Sequence, residues 1–590
     1  MVALRMQDYF SLGQIGLCDA ARIFFTLFGS YVVLRLMYNR YFHPLRNFPG
    51  PIWGSLTDFY KLYIVAQKDA HTRGIAMHKK YGPIVRVAPN LLAFSDPLLL
   101  PVVYHRRADK TEFYSTGILG DIPPPFQTLK HEDHAAKRKR IAPSFSMTNL
   151  RRLESDMDVR ILEFCSTLRT KHAKTGNPLD FAEYAQWFVY DLVTQLAFGS
   201  PVGFVRETRD IGGLIHHFHD MAPLAGFIAA LPWLANPIFQ NPLFKRYLMP
   251  KPGDSTGTGQ IMKFRDDMLE HRLKDRFAEG YDDFLSNLLK ARNEDGSLMT
   301  IEEIKTECFV LMVAASDTTS AFICPFVNYV VQNPQIYHSL MEEITTYERK
   351  GLLSNPVVKY DETNAMPYFM ACVKETLRYS PSTPMIMPRY IAKDGIKVLN
   401  DTYIPGGTEM GANPYVVHRD TKIYGHDAHL FRPERWLEDE ARSKEMDKYL
   451  MSFGYGSRVC LGKNIAQLET QKLCCQLFRD FTIDIVDRNN PWEANNLAIM
   501  VFAKQFLRIS YNPTTEKKFW ETPIATKQDL DDAVVAANRA FPDWKKMPWE
   551  EKSRLFRQYA EEVAQHATEL VELLLLETGK PVGAAGKGLN

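Results

Sequence analysis

The sequence predicts a mainly α protein with small β-sheets, and three observations carry that prediction. Thr300-Ile-Glu-Glu303 is a capping box, and it opens an apolar helix that runs to about Val331, where Asn333-Pro334 stops it. Residues 150–300 divide into helical stretches, Phe181–Phe198 and Gln260–Glu279 among them, broken by Gly212-Gly213 and by the Pro223–Pro250 region. Strand signals are short and local. Ile84–Val87 alternates, Asn90–Phe94 reads as its hairpin mate, and Asp401–Thr408 is a strand-and-turn signal.

Composition narrows the function classes. The 590 residues are 45% hydrophobic and 24% charged, a globular balance, and the net charge of +2 gives no bulk electrostatic case for nucleic acid. Eight cysteines in so long a chain do not form a disulfide framework; they suit a reducing compartment.

In chain order, residues 1–16 precede an apolar stretch at 17–38 that is long enough to span a bilayer, although Asp19, Arg22 and Arg35 interrupt it. It reads as a membrane anchor, an interfacial helix or a buried helix. Arg35, Arg40 and Arg46 place the large domain on the cytoplasmic side if it spans. Residues 39–51 hold Pro44, Pro49 and Pro51, which predict a stiff, non-helical hinge. A main domain then covers 52–515, opening with a helix over 71–80. Met221, Phe227, Phe239 and Phe244 either roof a pocket or fill core.

Four constellations carry chemistry. His134 and Arg138 sit one turn apart in a basic helix with Lys137, Lys139 and Arg140. Asp317-Thr318 lies mid-way along the apolar helix, where an acid is costly unless paired or hydrated. Glu375 and Arg378 share a face of a helix ended by Pro381, with Arg435 as a later partner and Arg389 between. Finally Phe453-Gly-Tyr-Gly-Ser-Arg-Val-Cys460-Leu-Gly462 presents one cysteine in a glycine-punctuated loop before a helix. The helix N-terminus favours its thiolate, which serves as nucleophile or metal ligand; zinc-type cysteine spacing is missing nearby.

Phe453, Gly456, Arg458, Cys460 and Gly462 reproduce the haem loop of cytochrome P450 enzymes, which the chain resembles along residues 42–515. The resemblance implies the P450 fold, haem b, and Cys460 as proximal iron ligand, whose thiolate favours O–O cleavage. Phe453 and Arg458 would contact the haem within that loop. It implies that Arg138, His134 and Arg389 meet the haem propionates. Thr318 would orient dioxygen and Asp317 connect protons, with Ala315 where the family usually has glycine; the alternative for Thr318 is a hydroxyl that only bonds back to the carbonyl four residues earlier. Glu375, Arg378 and Arg435 would hold the loop in shape, and residues 383–387 would pass the substrate. The implied activity is a monooxygenase acting on a hydrophobic small molecule, fed by a separate NADPH-cytochrome P450 reductase at the endoplasmic reticulum membrane. The remaining basic residues of the His134 helix are either a solvated face or a docking face for that reductase. The likeness is greatest to fungal microsomal enzymes of secondary metabolism, loosely the pisatin demethylase type. A P450-fold isomerase or dehydratase, or a non-catalytic haem- or ligand-binding protein, are rival readings that Asp317-Thr318 opposes.

Residues 516–590 differ in character. Residues 525–544 read as an amphipathic helix with a proline stop, and two further apolar-periodic pieces follow at 550–577. With Glu577-Thr578-Gly579-Lys580-Pro581 they resemble the N-terminal helices of aldehyde dehydrogenases, without that family's nicotinamide-binding or catalytic parts.

Overall fold

The computed structural model describes residues 17–565 apart from 68, 116–121, 248, 255–256, 275–282, 490–491, 497–499 and 511–526. Helix Ile301–Gln332 is its axis. The capping box forms in full: Thr300 Oγ1 accepts from Glu303 N at 3.2 Å, and Glu303 Oε2 accepts from Thr300 N at 2.9 Å. A helix apolar around most of its circumference must be buried. This one packs against helices Phe181–Phe198, Pro367–Tyr379 and Lys463–Asp480, and most of its middle is inaccessible.

The sheets are small, as the short strand signals require. Four strands lie in the order Ile84–Ala88, Leu91–Phe94, Glu409–Ala412, Arg389–Tyr390. The first pair is an antiparallel hairpin with Ile84 opposite Phe94; the second is parallel, and the last antiparallel with Arg389 opposite Met410. This register puts Arg389 at a sheet edge, where its backbone bridges to Lys110. A second sheet joins Leu179–Asp180, Phe506–Ser510 and Thr482–Ile485, so the chain up to Ser510 still belongs to the main body.

The Pro223–Pro250 region does break the chain, into helices Leu214–Ala230, Pro232–Phe239 and Pro242–Tyr247, although Pro223 itself lies inside the first of them. Proline forfeits one backbone bond there, and burial of Ile228, Ala230 and Leu231 holds the far side. Gly212 and Gly213, at φ 66° and 65°, do punctuate the chain just before this helix. The stretch expected from Gln260 is helix Gly257–Lys274, and the rest of that stretch lies outside the described residues.

Other expectations need correction. Helix Leu17–Met37 is exposed at all its described side chains except the half-buried Leu36, which removes the buried-helix reading. It continues as a wider turn, Tyr38–Phe42, so the non-helical hinge begins later than residue 39. Nor is the hinge free. Buried Asn39 donates to Leu56 O at 2.8 Å, and Arg86 Nη2 donates to Asn39 O at 2.9 Å. Leu45 is in the core, and a Cβ on Gly50 would sit 2.2 Å from Arg86 O. The link is therefore clamped onto the first strand.

At the other end, helix Lys527–Lys546 runs through Pro542 instead of stopping there, and helix Trp549–Gln565 follows. Trp544 meets Phe556 edge-on at 5.8 Å, so the two helices touch. Val534, Val535, Phe541 and Tyr559 are exposed. The second apolar piece and Glu577–Pro581 lie outside the described residues.

Candidate active site

The Cys460 loop is shaped by backbone. Cys460 N donates to Phe453 O at 2.7 Å, closing the turn. Gly454 and Gly456 adopt φ 77° and 67°, and a Cβ on Gly456 would fall 2.1 Å from Tyr104 O. Cys460 has accessible surface. The N–H groups of Gly462 and Lys463 and the charge of Arg138 favour its thiolate, as the helix terminus predicts, while burial by the surrounding protein favours the thiol.

A buried ion network sits behind the loop. The Glu375 carboxylate accepts from Arg378 Nε and Nη2 at 2.8 and 2.7 Å, Arg435 Nε at 3.1 Å, Trp436 Nε1 at 3.0 Å and Arg432 N at 2.8 Å. Asp427 adds a second carboxylate to Arg435 at 2.8 Å; despite partial burial, Arg435 and Arg432 hold its carboxyl down to about 2. The network reaches the loop through His418. Its ring lies 3.0 Å from Arg378 O on one side, and its Nε2 accepts from Met451 N at 2.9 Å on the other. Ser452 Oγ also donates to Leu377 O at 2.6 Å. The sequence pairing of Glu375, Arg378 and Arg435 is thus realised, and its structural role has a path.

Beside the loop lies a cluster of five basic side chains. Arg138 Nη1 donates to Val459 O at 2.7 Å, one residue from Cys460. Arg458 donates to Thr128 O and Leu129 O at 2.6 and 2.7 Å. Arg389, 4% exposed, donates to Tyr114 Oη and Pro388 O, both at 2.8 Å. His134 and Lys110 are buried as well, and Lys110 Nζ lies between the rings of Tyr114 and Phe126 and donates to Phe126 O. Burial and the four neighbouring cations pull His134 down to about 3; burial, Arg389 and Arg458 bring Lys110 well below its usual value. Among the described residues no carboxylate bonds to any of the five, and Arg389 Nε and Arg458 Nε are buried without partners. Concentrated buried charge of one sign is costly unless an anion joins it. Two haem propionates are such an anion, so the residues present fit haem beside Cys460.

The long helix carries the next candidate residues. Leu311, Ala314, Ala315 and Thr318 form an accessible stripe at helical spacing, flanked by buried Met312, Val313, Ser316 and Asp317. An accessible stripe on a core helix lines an interior space. Thr318 Oγ1 donates to Ala314 O at 2.9 Å, which leaves its oxygen able to accept. Ser382 Oγ donates to Thr318 O at 2.8 Å and ties segment 383–387 to this helix. Asp317 points away from the stripe; its Oδ1 lies 3.1 Å from His219 Nε2 on helix Leu214–Ala230. Phe239 and Phe244 pack on each other at 4.9 Å and Phe227 is half-buried; the side chain of Met221 lies outside the described residues.

Sequence reasoning missed Lys110, His219 and Glu469. Lys110 sits in an irregular segment without periodicity, and His219 acquires its partner only when two helices cross. Glu469 is fully buried on helix Lys463–Asp480, accepts from Thr319 Oγ1 at 2.8 Å, and is pushed up to about 8 by burial. Arg140 is engaged internally, on Glu303 at 2.7 Å.

A family model described as Cytochrome P450 matches residues 44–509. The chain belongs to the cytochrome P450 family. Among this P450's relatives, quiannulatic acid synthase of Emericella variicolor is 33% identical over 80% of this chain and 94% of its own length. The cytochrome P450 monooxygenase cicH of Emericella nidulans is 30% identical, over 83% and 97%. The cytochrome P450 monooxygenase gsfF of Penicillium aethiopicum is 30% identical, over 80% and 94%. A second model, Aldehyde dehydrogenase family, matches residues 504–589, overlapping the end of the P450 body.

Proposed function

We propose that the chain is a haem-thiolate monooxygenase that oxidises a hydrophobic small molecule in fungal secondary metabolism, of the pisatin demethylase type. The observation that carries this reading is the uncompensated cationic cluster beside Cys460; the accessible stripe of the long helix that bears Thr318 accords with it. Cys460 would hold the iron, and Arg138, His134, Arg389 and Arg458 the propionates, with Phe453 packed beside the loop. Bound there, haem supplies activation of dioxygen with two electrons. The chain's own residues do the rest. The loop fixes Cys460, the Glu375 network fixes the loop, Thr318 orients a hydrogen-bonded proton donor, and Asp317, whose carboxylate faces His219, passes protons toward it by turning its side chain.

Electrons come from a separate NADPH-cytochrome P450 reductase. An open recess of about 750 Å³ whose lining includes Arg106, Arg107, Arg138 and Lys139 against one carboxylate, Glu132, supports docking of an acidic partner next to the Cys460 loop. Helix Leu17–Met37 would anchor the protein in the endoplasmic reticulum membrane, with the catalytic body cytoplasmic.

The test is reconstitution of the full-length, haem-loaded protein with reductase and NADPH, and comparison of metabolites with and without its gene. The reading requires NADPH-dependent incorporation of labelled dioxygen into a product. Thr318→Ala should lower product formed per NADPH. Product formation without dioxygen would overturn the reading in favour of an isomerase or dehydratase.

A further inference from the structure

Asp317 is 3% exposed and lies where three helices meet, so solvent does not reach it directly. His219 touches it at 3.1 Å and is itself about one-fifth accessible, with a side-chain exposure of 22%. A residue with one ring nitrogen on a buried acid and part of its ring toward solvent can take a proton at one nitrogen and release it at the other. We propose that His219 is the solvent-side proton entry to Asp317, a positioning residue that acts on the oxygen chemistry only through that carboxylate. This rests on the monooxygenase reading.

The surroundings suit the role. Gln186 Nε2, on helix Phe181–Phe198, lies 3.5 Å from the same imidazole nitrogen, and Tyr190 from that helix is under the charge of Asp317. Among the described residues, the charged groups that act most strongly on His219 are Asp317, Asp210 in the turn before its helix, and Asp220 beside it on the helix. Burial disfavours the imidazolium, but the hydrogen bond and charge of Asp317, then Asp210 and Asp220, outweigh it and raise His219 above its ordinary value. The protons balance: hydronium from solvent protonates the neutral ring and is left as water, Nε2–H passes its proton to the Asp317 carboxylate, and the ring, left neutral in its other tautomer, exchanges its proton with solvent before the next transfer. The placement also links proton supply to the seat of helix Leu214–Ala230. Displacing that helix from the long helix parts His219 from Asp317.

The test uses full-length, haem-loaded His219→Gln, Asp317→Asn and the double variant, with reductase and NADPH, and reads oxygen consumption across pH. A donor must be protonated to act, so the wild-type rate should fall as pH rises through the titration of His219, above about 6.5. His219→Gln, which can hydrogen-bond but not charge, should be about tenfold slower at neutral pH and lose that limb. The double variant should be no slower than Asp317→Asn, because His219 acts through Asp317. A His219→Gln rate and pH profile equal to wild type, or additive losses in the double variant, would overturn the proposal. A carbon monoxide spectrum of each preparation separates this from failure of the monooxygenase reading, since wild-type protein without the thiolate signature would sink that reading first. If His219→Gln does not load haem, Asp317→Asn must still lose the pH limb.

Discussion

Removing the charge from Glu375 strands a guanidinium in the core, and the cost can be worked from its neighbours. Five N–H bonds converge on this fully buried carboxylate, from Arg378, Arg435, Trp436 and the backbone of Arg432. In Glu375→Gln, Arg435 keeps Asp427, but Arg378, 0% exposed, keeps only the carbonyls of His418, Ala428 and Leu430. Breaking a buried ion pair costs about 3–5 kcal/mol, and the amide oxygen that remains puts this variant near the lower end. About 3 kcal/mol is roughly a hundredfold in the folded-to-unfolded ratio. Thermal unfolding of haem-loaded protein should show a Tm lower by several degrees, at no more than about 2–4 °C per kcal/mol for a body this large. The loop should suffer with it, because His418 and Ser452 tie it to the Glu375 helix, so haem content should fall. Glu375→Gln/Arg378→Met, which removes the stranded charge, should recover part of the loss. A Tm within about 1 °C of wild type, at full haem content, would refute the reasoning.

Three further outcomes follow from other sites. Lys110→Met should speed transfer of haem to an acceptor protein about tenfold, the loss of one charge-assisted bond in the cationic cluster; an unchanged transfer rate would remove Lys110 from the propionate site. Glu469 has its folded pKa raised to about 8, so the stability it contributes is present at low pH and lost as pH rises from about 4.5 through 8. Relative to Glu469→Gln, wild type should therefore lose Tm progressively across that window, and parallel Tm curves would contradict the assignment. Truncation after residue 515 should leave the carbon monoxide spectrum and oxygen consumption unchanged, because the sheet of the main body closes at Ser510. Loss of haem on truncation would show that the tail supports the body.

What was legible in the sequence was local. The Thr300 capping box, the glycines flanking Cys460 and the Glu375–Arg378 spacing act within a few residues, and each formed as read. Proline misled at residue 542 because its effect depends on context: Pro223 and Pro542 both lie inside helices, the first held by buried residues beyond it. The hinge misled for a similar reason, since nothing near Asn39 announces that Arg86 will grip its carbonyl. Lys110 and His219 were invisible because their meaning comes from partners far along the chain, Arg389 and Asp317, which only the folded topology brings close.

The carbon monoxide difference spectrum of the reduced, full-length protein tests the central claim most directly. With Cys460 as iron ligand, wild type must give the long-wavelength band of a thiolate-ligated haem, and Cys460→His must bind haem but give the shorter-wavelength band of nitrogen ligation. A folded, haem-loaded wild type without the long-wavelength band, or a Cys460→His variant that keeps it, would contradict the account.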